Sequence, residues 1–515
     1  MPRQDHIMAA DNFAQNINTN GGAAASADDV KIAPPSGISV LIVGAGVGGL
    51  MAALECHRKG HQVRILERSH NASAGGDMFT IGLNGRMAIN HYPTMKRELD
   101  HISIHDGWMR HRKFTGDSIG EPVPMSKMVP AGAGDPIDRQ PMMIQLRPLF
   151  HAMLYHQLER FGIEVVYGKK VVHYYEDASR GIGGVETDDG EKFEADLVFA
   201  GDGLNSKSHS IVMGGQGKTQ PSGRSIFRAA WPLETAMKDP LVKEYFGLKD
   251  GKDPQMQAWM GPNTHSMALS YVDKARDNGL MCWGYTYTEP AGSKGQDTTQ
   301  DWSRTVSTSE VLEMMNKAPA PGWNEAMHAL VRTIPENSIV YWPLLWRDPT
   351  PCVHSAGCRV LQIGDAAHTL LPNSGFGASM AIEDAVTIAT CLQKAGKANI
   401  ETAVKTHALL RADRVSTTQL LGFVNSERFQ KTDLNKVGND KSKVAAKVPK
   451  WIYQLDPEKY AEEKYEAAAA SLKEGGKPFV NTNLPDGFMP RPWTLEGIEM
   501  MEAEGKSIEL EGDWS

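Results

Sequence analysis

Residues 38–50 read Ile-Ser-Val-Leu-Ile-Val-Gly-Ala-Gly-Val-Gly-Gly-Leu, a short apolar run that passes into glycines. The first part, Ile38 to Val43, reads as a buried strand. Gly44, Gly46 and Gly49 follow at G-x-G-x-x-G spacing, and residues 49–59 read as a helix with Gly60 in the stop position. The strand, turn and helix open a dinucleotide-binding βαβ unit. The first glycine permits the tight turn, the second lets backbone approach a pyrophosphate, and the third lets helix and strand pack closely. Amide groups at the helix start then face phosphate charge. The next strand, HQVRILE, ends in Glu67, 23 positions after Gly44. A carboxylate there binds ribose hydroxyls and disfavours a 2′-phosphate, so the unit suits FAD or NAD rather than NADP.

Around this unit lie 515 residues, too many for one ordinary core, and about 150 residues per domain implies two to four folding units. With 54 basic against 62 acidic residues the net charge is −8, which argues against a broad nucleic-acid surface. No apolar stretch is long enough to span a bilayer, and the N-terminus lacks the apolar core of a secretory signal. Five cysteines without a CxxC pair point to no disulfide framework and to a reducing, cytoplasmic setting. His101 and His105 stand four apart, but no further ligand cluster accompanies them, so no metal site is expected.

Residues 1–36 are small and polar and read as a flexible tail. PLFHAMLYHQLERFG has helical spacing, and IEVVYG, KVVHYYED, GIGGVETDD and EADLVFAGDG read as short strands. SIFRAAWP, QMQAWMGP, HSMALSYVD and LMCWGYTYTE are aromatic-rich runs between polar turns, an antiparallel sheet inserted into the first domain. Residues 426–450 carry five lysines and read as a solvated linker; PEKYAEEKYEAAAASLKEGG is a strong helix former, and the last 40 residues read as a loosely packed extension.

Two further motifs follow strands. Gly201-Asp202-Gly203 comes after ADLVFA, with Asn205, Ser206 and Lys207 beyond it. Gly364-Asp365-Ala366-Ala367-His368 comes after RVLQI and leads through Leu371-Pro372 and Gly375-Phe376-Gly377 into the helix MAIEDAVTIA. A glycine-rich loop entering a helix N-terminus favours negative charge, such as that of a reduced flavin.

In this order and at these distances, the three segments resemble the FAD-dependent aromatic hydroxylases, single-component flavoprotein monooxygenases, and within them the fungal salicylate-hydroxylase-like members. The resemblance covers roughly residues 38–425. It implies an α/β fold with an α+β insertion: a Rossmann-like FAD-binding domain (residues 37–80, 145–215 and 353–425), an inserted antiparallel-sheet substrate domain (81–144 and 216–352), and a linker with a helical C-terminal extension (426–515). FAD would be held by Gly44, Gly46, Gly49, Glu67, Arg147, Asp202, Asp365, Gly375, Gly377 and Ala378. NADH or NADPH would be the transient co-substrate, and O2 would react through a C4a-hydroperoxyflavin. The implied product is a hydroxylated, electron-rich aromatic of phenol or indole type, as in secondary metabolism.

Pro372 would lie beside the flavin ring, and Arg228 and His265 would hold a phenolate or carboxylate, since a phenol reacts faster once its proton is drawn off. Trp259, Tyr285 and Tyr287 would line an aromatic pocket. His368 reads as a structural residue of its loop. Two positions depart from the family pattern: Phe376 replaces a glutamine and Ser379 an asparagine. Lys207 stands where an arginine is usual. An alternative of the same fold is epoxidation or another oxidation of a specialised metabolite; no halogenase WxWxIP stretch is present. A homodimer is compatible with the sequence, which carries no signal of oligomeric state.

Overall fold

The computed structural model describes residues 30–72, 76–105, 107–128, 137–214, 219–248, 255–273, 278–289 and 304–515. Its organising element is a parallel sheet in the order Val360–Gln362, Leu197–Ala200, Ser39–Val43, Gln62–Leu66, Val165–Val166. The opening strand Ser39–Val43 sits at its centre, parallel to both neighbours. Strand alternation splits its side chains between two cores. Val40 and Ile42 join the core beneath the helices Val47–Arg58, Arg147–Arg160 and Gly377–Ala395, while Leu41 and Val43 pack with Tyr174, Val185 and Phe193 of a three-stranded antiparallel meander. Burial on both faces is why the run needed no polar alternation.

The second unit is an eight-stranded sheet with Gln220–Pro232, Asn278–Thr288, Thr264–Asp273 and Gln255–Gly261 at its centre. Its pairings are antiparallel except one: Trp108–Lys113 runs parallel to Gln255–Gly261. One face carries Pro240–Phe246, Thr308–Met315 and Glu325–Arg332, over a core rich in tryptophan. The other face looks toward the nucleotide domain.

Four expectations need correction. Of residues 81–144, only Trp108–Lys113 and Val123–Pro124 join the substrate sheet. The helices Leu83–Ile89 and Pro93–Ile102 bury Ala88, Ile89, Met95 and Leu99 in the nucleotide core, with Tyr92 from the turn between them, because their apolar stripes face that way. Within the expected tail, residues 1–29 lie outside the described residues, but residues 30–36 are tied down: Ala33 N–H donates to Arg58 O at 2.8 Å and Ser36 N–H to Gly60 O at 2.9 Å.

The boundary at residue 425 falls inside a 31-residue helix, Ile400–Gln430. That helix is buried on most of its circumference, which erases the one-sided periodicity by which a helix announces itself. Finally, neither the lysine-bearing linker nor the C-terminal region is loose. Val437 and Val444 are buried with Phe429 and Met260, Tyr460, Ala461 and Tyr465 enter the nucleotide core, and Trp514 is 5% exposed. The anchors are single apolar residues scattered among polar ones, so composition alone misreads them. No helix among the described residues is long and apolar enough to cross a membrane.

Candidate active site

A cavity of about 1310 Å³ runs from the first glycine turn to the inner face of the eight-stranded sheet. Gly44, Gly46, Glu67, Arg147, Asp202, Asp365, Pro372, Gly375, Gly377 and Ala378 all line it, and so do Arg228 and His265. The tertiary fold thus gathers into one space residues spread over more than three hundred positions.

The glycines divide by what surrounds them. A Cβ on Gly44, at φ +100°, would lie 2.5 Å from Gly201 O, and one on Gly49 would lie 1.9 Å from Gly44 O. These two serve the turn itself, and Gly49 does not face the cavity. A Cβ on Gly46 or Gly377 would meet no protein atom within 4 Å, and neither φ is positive. Nothing in the protein demands glycine there, so the open space suits a cofactor that approaches the backbone closely.

Glu67 accepts from Ala45 N–H at 2.8 Å and from the Ser69 amide and hydroxyl at 2.8 and 2.9 Å, which fixes its carboxylate against the glycine turn. Asp202 accepts from the Tyr174 hydroxyl at 2.8 Å. Asp365 opens onto the cavity yet lies deep in the fold, and burial raises its pKa against the pull of His368 and Arg147. It is an acidic acceptor turned toward the cavity, suited to ribitol or ribose hydroxyls. Burial, then the nearby Arg228, lowers the Arg147 pKa, although its cation also feels Asp365 and Asp77. These features fit an FAD: a backbone cradle at one end, acceptors along the middle, and the start of the helix Gly377–Ala395 at the other.

Several positioning residues were not evident from sequence. Arg347 donates to Leu204 O at 3.0 Å and Ala366 O at 3.2 Å, so one guanidinium ties the second motif to the third. Asp384 accepts from Gly364 N–H at 2.9 Å and pairs with His368 at 2.7 Å and Arg411 at 2.8 Å. Burial would raise its pKa, but His368 and Arg411 outweigh burial and hold it low. His368 lies on a small space behind the loop, not on the main cavity. Carbonyl-directed arginines leave no motif, so only coordinates reveal them.

The substrate side differs from expectation. Trp259, Tyr285 and Tyr287 belong to the core on the far face of the sheet. Strand alternation sends their neighbours inward instead: Met256, His265, Met267, Gly284 and Thr286 line the cavity, and Trp283, whose ring packs in the far-face core, borders it beside Gly284. Met109, Met125 and His111 extend the wall. The wall is therefore rich in methionine, a flexible and polarizable side chain that contacts aromatic rings well.

Arg228 reaches the cavity but is committed to Asp77: Nε donates to Oδ2 at 2.8 Å, and Nη2 bonds Oδ1 and, at 3.2 Å, Met78 O. Burial pushes the His265 imidazole down to about 4, so the ring is neutral near pH 7. It stands 3.3 Å from Gln430 Nε2.

Phe376 and Ser379, the two departures from the family pattern, are both turned away from the cavity. Phe376 is fully buried with Met380, Leu421, Tyr453 and Trp514, and Ser379 Oγ accepts from Gly82 N–H at 2.8 Å. The loop's backbone at Gly375, Gly377 and Ala378 faces the cavity without them.

Comparison with known proteins agrees with this geometry. A model of the FAD binding domain matches residues 37–320 and 353–412. The FAD-dependent monooxygenase fsr3 of Gibberella fujikuroi is 39% identical over 493 residues, 94% of this chain and 90% of that protein. The crystal structure of CtdE in complex with FAD and a substrate aligns with a TM-score of 0.72 at 26% identity, covering 84% of this chain and 98% of that one. A salicylate hydroxylase substrate complex aligns with a TM-score of 0.63 at 24% identity, over 82% of this chain and 97% of that one, a likeness of fold.

Proposed function

Since this chain belongs to the FAD-binding-domain family of FAD-dependent monooxygenases, we propose that it hydroxylates an electron-rich aromatic molecule of phenol or indole type. NADH or NADPH would supply hydride and O2 the oxygen atom. The observation that carries this reading is the continuity of the cavity: the nucleotide cradle and the inner face of the substrate sheet share one space.

A bound FAD would supply the redox chemistry: accepting hydride from NAD(P)H and passing one oxygen atom of O2 to a carbon nucleophile while the other leaves as water. The chain's residues bind, orient and exclude water. The turn at Gly44 and Gly46 with Glu67 and Asp202 holds the ADP end, and Gly49 keeps the helix close behind it. Arg147 offsets phosphate charge, and Asp365 accepts from the sugar-like chain. Gly375, Gly377 and Ala378 would offer the positive end of a helix to the negative charge of a reduced flavin. Pro372 and the methionines of the wall would give the reacting region an apolar lining.

Arg228 orients an anionic or phenolic oxygen, with Asp77 balancing its charge. His265, neutral at working pH, serves as a hydrogen-bond partner to a substrate hydroxyl rather than as a strong base.

The test is oxygen uptake and NAD(P)H oxidation by the purified yellow protein over a panel of phenols and indoles, followed by mass spectrometry of products made under labelled O2. Substrate-stimulated uptake with one labelled atom per product supports the reading. A protein that retains no FAD, or a product without label, defeats it.

A further inference from the structure

Beyond residue 412, where the match to the FAD binding domain ends, the chain returns to the cavity. Ala445, Ala446, Val448 and Tyr453 line it, beside Phe429 at the end of the long helix. Residues 445–449 have no regular secondary structure, so their carbonyls need other donors. One face of the helix Ile400–Gln430 supplies them, from positions 11 and 14 residues beyond Arg414.

Arg428 Nε donates to Ala445 O at 2.8 Å. The Asn425 amide bonds Lys447 on both sides, accepting from its N–H at 2.8 Å and donating to its carbonyl at 3.2 Å. The same amide donates to Asn373 O at 3.0 Å, in the loop that carries Pro372. Fully buried Arg414 donates to Trp451 O at 2.9 Å and Ile452 O at 2.8 Å, and pairs with Glu383 on the helix that starts at the flavin-facing loop. The segment is thereby tied to the same loop and helix that face the cofactor.

Trp514 and Ser515 lock the outer side. Lys450 N–H donates to Ser515 O at 2.9 Å, and the Trp514 ring stands edge-on to Trp451 at 5.7 Å and to Phe488 at 5.4 Å. Phe376 belongs to this same buried cluster, which gives a reason for an apolar ring where the family has a polar one.

We propose that residues 445–453 form a specificity-determining wall of the reaction cavity, latched shut by Trp514 and Ser515. The small side chains of Ala445 and Ala446 set how far a substrate extends, and the latch keeps water from the flavin. The size-selection part rests on the monooxygenase reading above; the wall and latch do not.

The test uses the full-length, FAD-loaded protein, the variant Ala446→Phe, and a variant lacking Trp514 and Ser515. FAD content and melting temperature are checked first. Iodide quenching of the bound flavin's fluorescence then reads solvent access without any turnover. The quenching constant is expected to rise severalfold on loss of the latch and to fall with Ala446→Phe, and trypsin is expected to cut at Lys447 or Lys450 faster in the truncated form alone. Among accepted substrates, kcat/KM for the largest is expected to fall about tenfold relative to the smallest in Ala446→Phe, as for a pocket narrowed by a few carbons.

Unchanged quenching in both variants overturns the wall, whatever the activity. Changed quenching in a protein that oxygenates no aromatic upholds the wall and defeats the functional reading instead. An unaltered size ranking in Ala446→Phe overturns the size-selection part. Should the truncation melt early, Ala446→Phe decides alone.

Discussion

The nucleotide cradle and the substrate wall are built by opposite means. The cradle is backbone: its first turn needs a few glycines within six residues, and side chains there mostly have to be absent. The wall is mostly side chain, and its members come from Trp108–Lys113, four other strands of the sheet, and the region from residue 429 onward. A backbone site tolerates almost any neighbour sequence but no Cβ at the critical place. A side-chain site tolerates conservative exchange but depends on strand register, since a slip of one residue turns every side chain to the other face.

Within the cradle the sharpest contrast is Gly44→Ala against Gly46→Ala. The first puts a Cβ against Gly201 O at a left-handed φ, and a loss of several kcal/mol, read as failure to fold or a large drop in melting temperature, is expected. The second meets no protein atom, so the melting curve of the apoprotein should barely move while FAD affinity collapses. Equal effects on folding would erase the distinction between turn glycines and cofactor glycines.

The two faces of the sheet offer the next contrast. Trp259→Ala empties a buried site and should cost about 3–5 kcal/mol in urea unfolding. Met267→Leu, one strand away but facing the cavity, should cost less than about 1.5 kcal/mol while changing substrate preference. Asp365→Ala should weaken FAD binding roughly 10- to 100-fold in fluorescence titration, the worth of a hydrogen bond to a charged acceptor.

A pH-dependent contrast lies at the seam between the first helix and the C-terminal region. Burial pulls the His91 pKa down, but Glu458 and Glu55 outweigh it and lift the value to about 9 from 6.5. The folded form therefore binds this proton more tightly, so the stabilisation is complete below pH 6.5 and disappears as pH rises through about 9. A decline of about 3 kcal/mol across that window, at ~1.4 kcal/mol for each pH unit between the two values, is expected in denaturant titrations, and His91→Gln should flatten it. An unchanged slope in the variant would detach His91 from the seam.

How much of this was legible in the chain follows from the same division. The βαβ unit, Glu67 and the Asp202 and Asp365 turns could be read in sequence because each is local, with strand, turn and helix adjacent along the backbone. Trp259, Tyr285 and Tyr287 were expected in the cavity and lie behind the sheet; aromatic content marks a strand but not its facing. Ile400–Gln430 hid because burial all round removes amphipathic period. Residues 426–515 looked like linker and loose extension because their anchors, Val444, Tyr453, Tyr465 and Trp514, are single residues whose partners lie far away in sequence.

The sequence by itself determined that a dinucleotide cradle begins at Ile38 and that an acidic acceptor returns at Asp365, because steric need for glycine and short-range hydrogen bonding are properties of a few consecutive residues. Only the tertiary structure decided which face of the substrate sheet lines the cavity, that Arg228 pairs with Asp77, and that residues 445–453 border the same space. Those outcomes depend on register and on contacts across hundreds of residues, which no local pattern encodes.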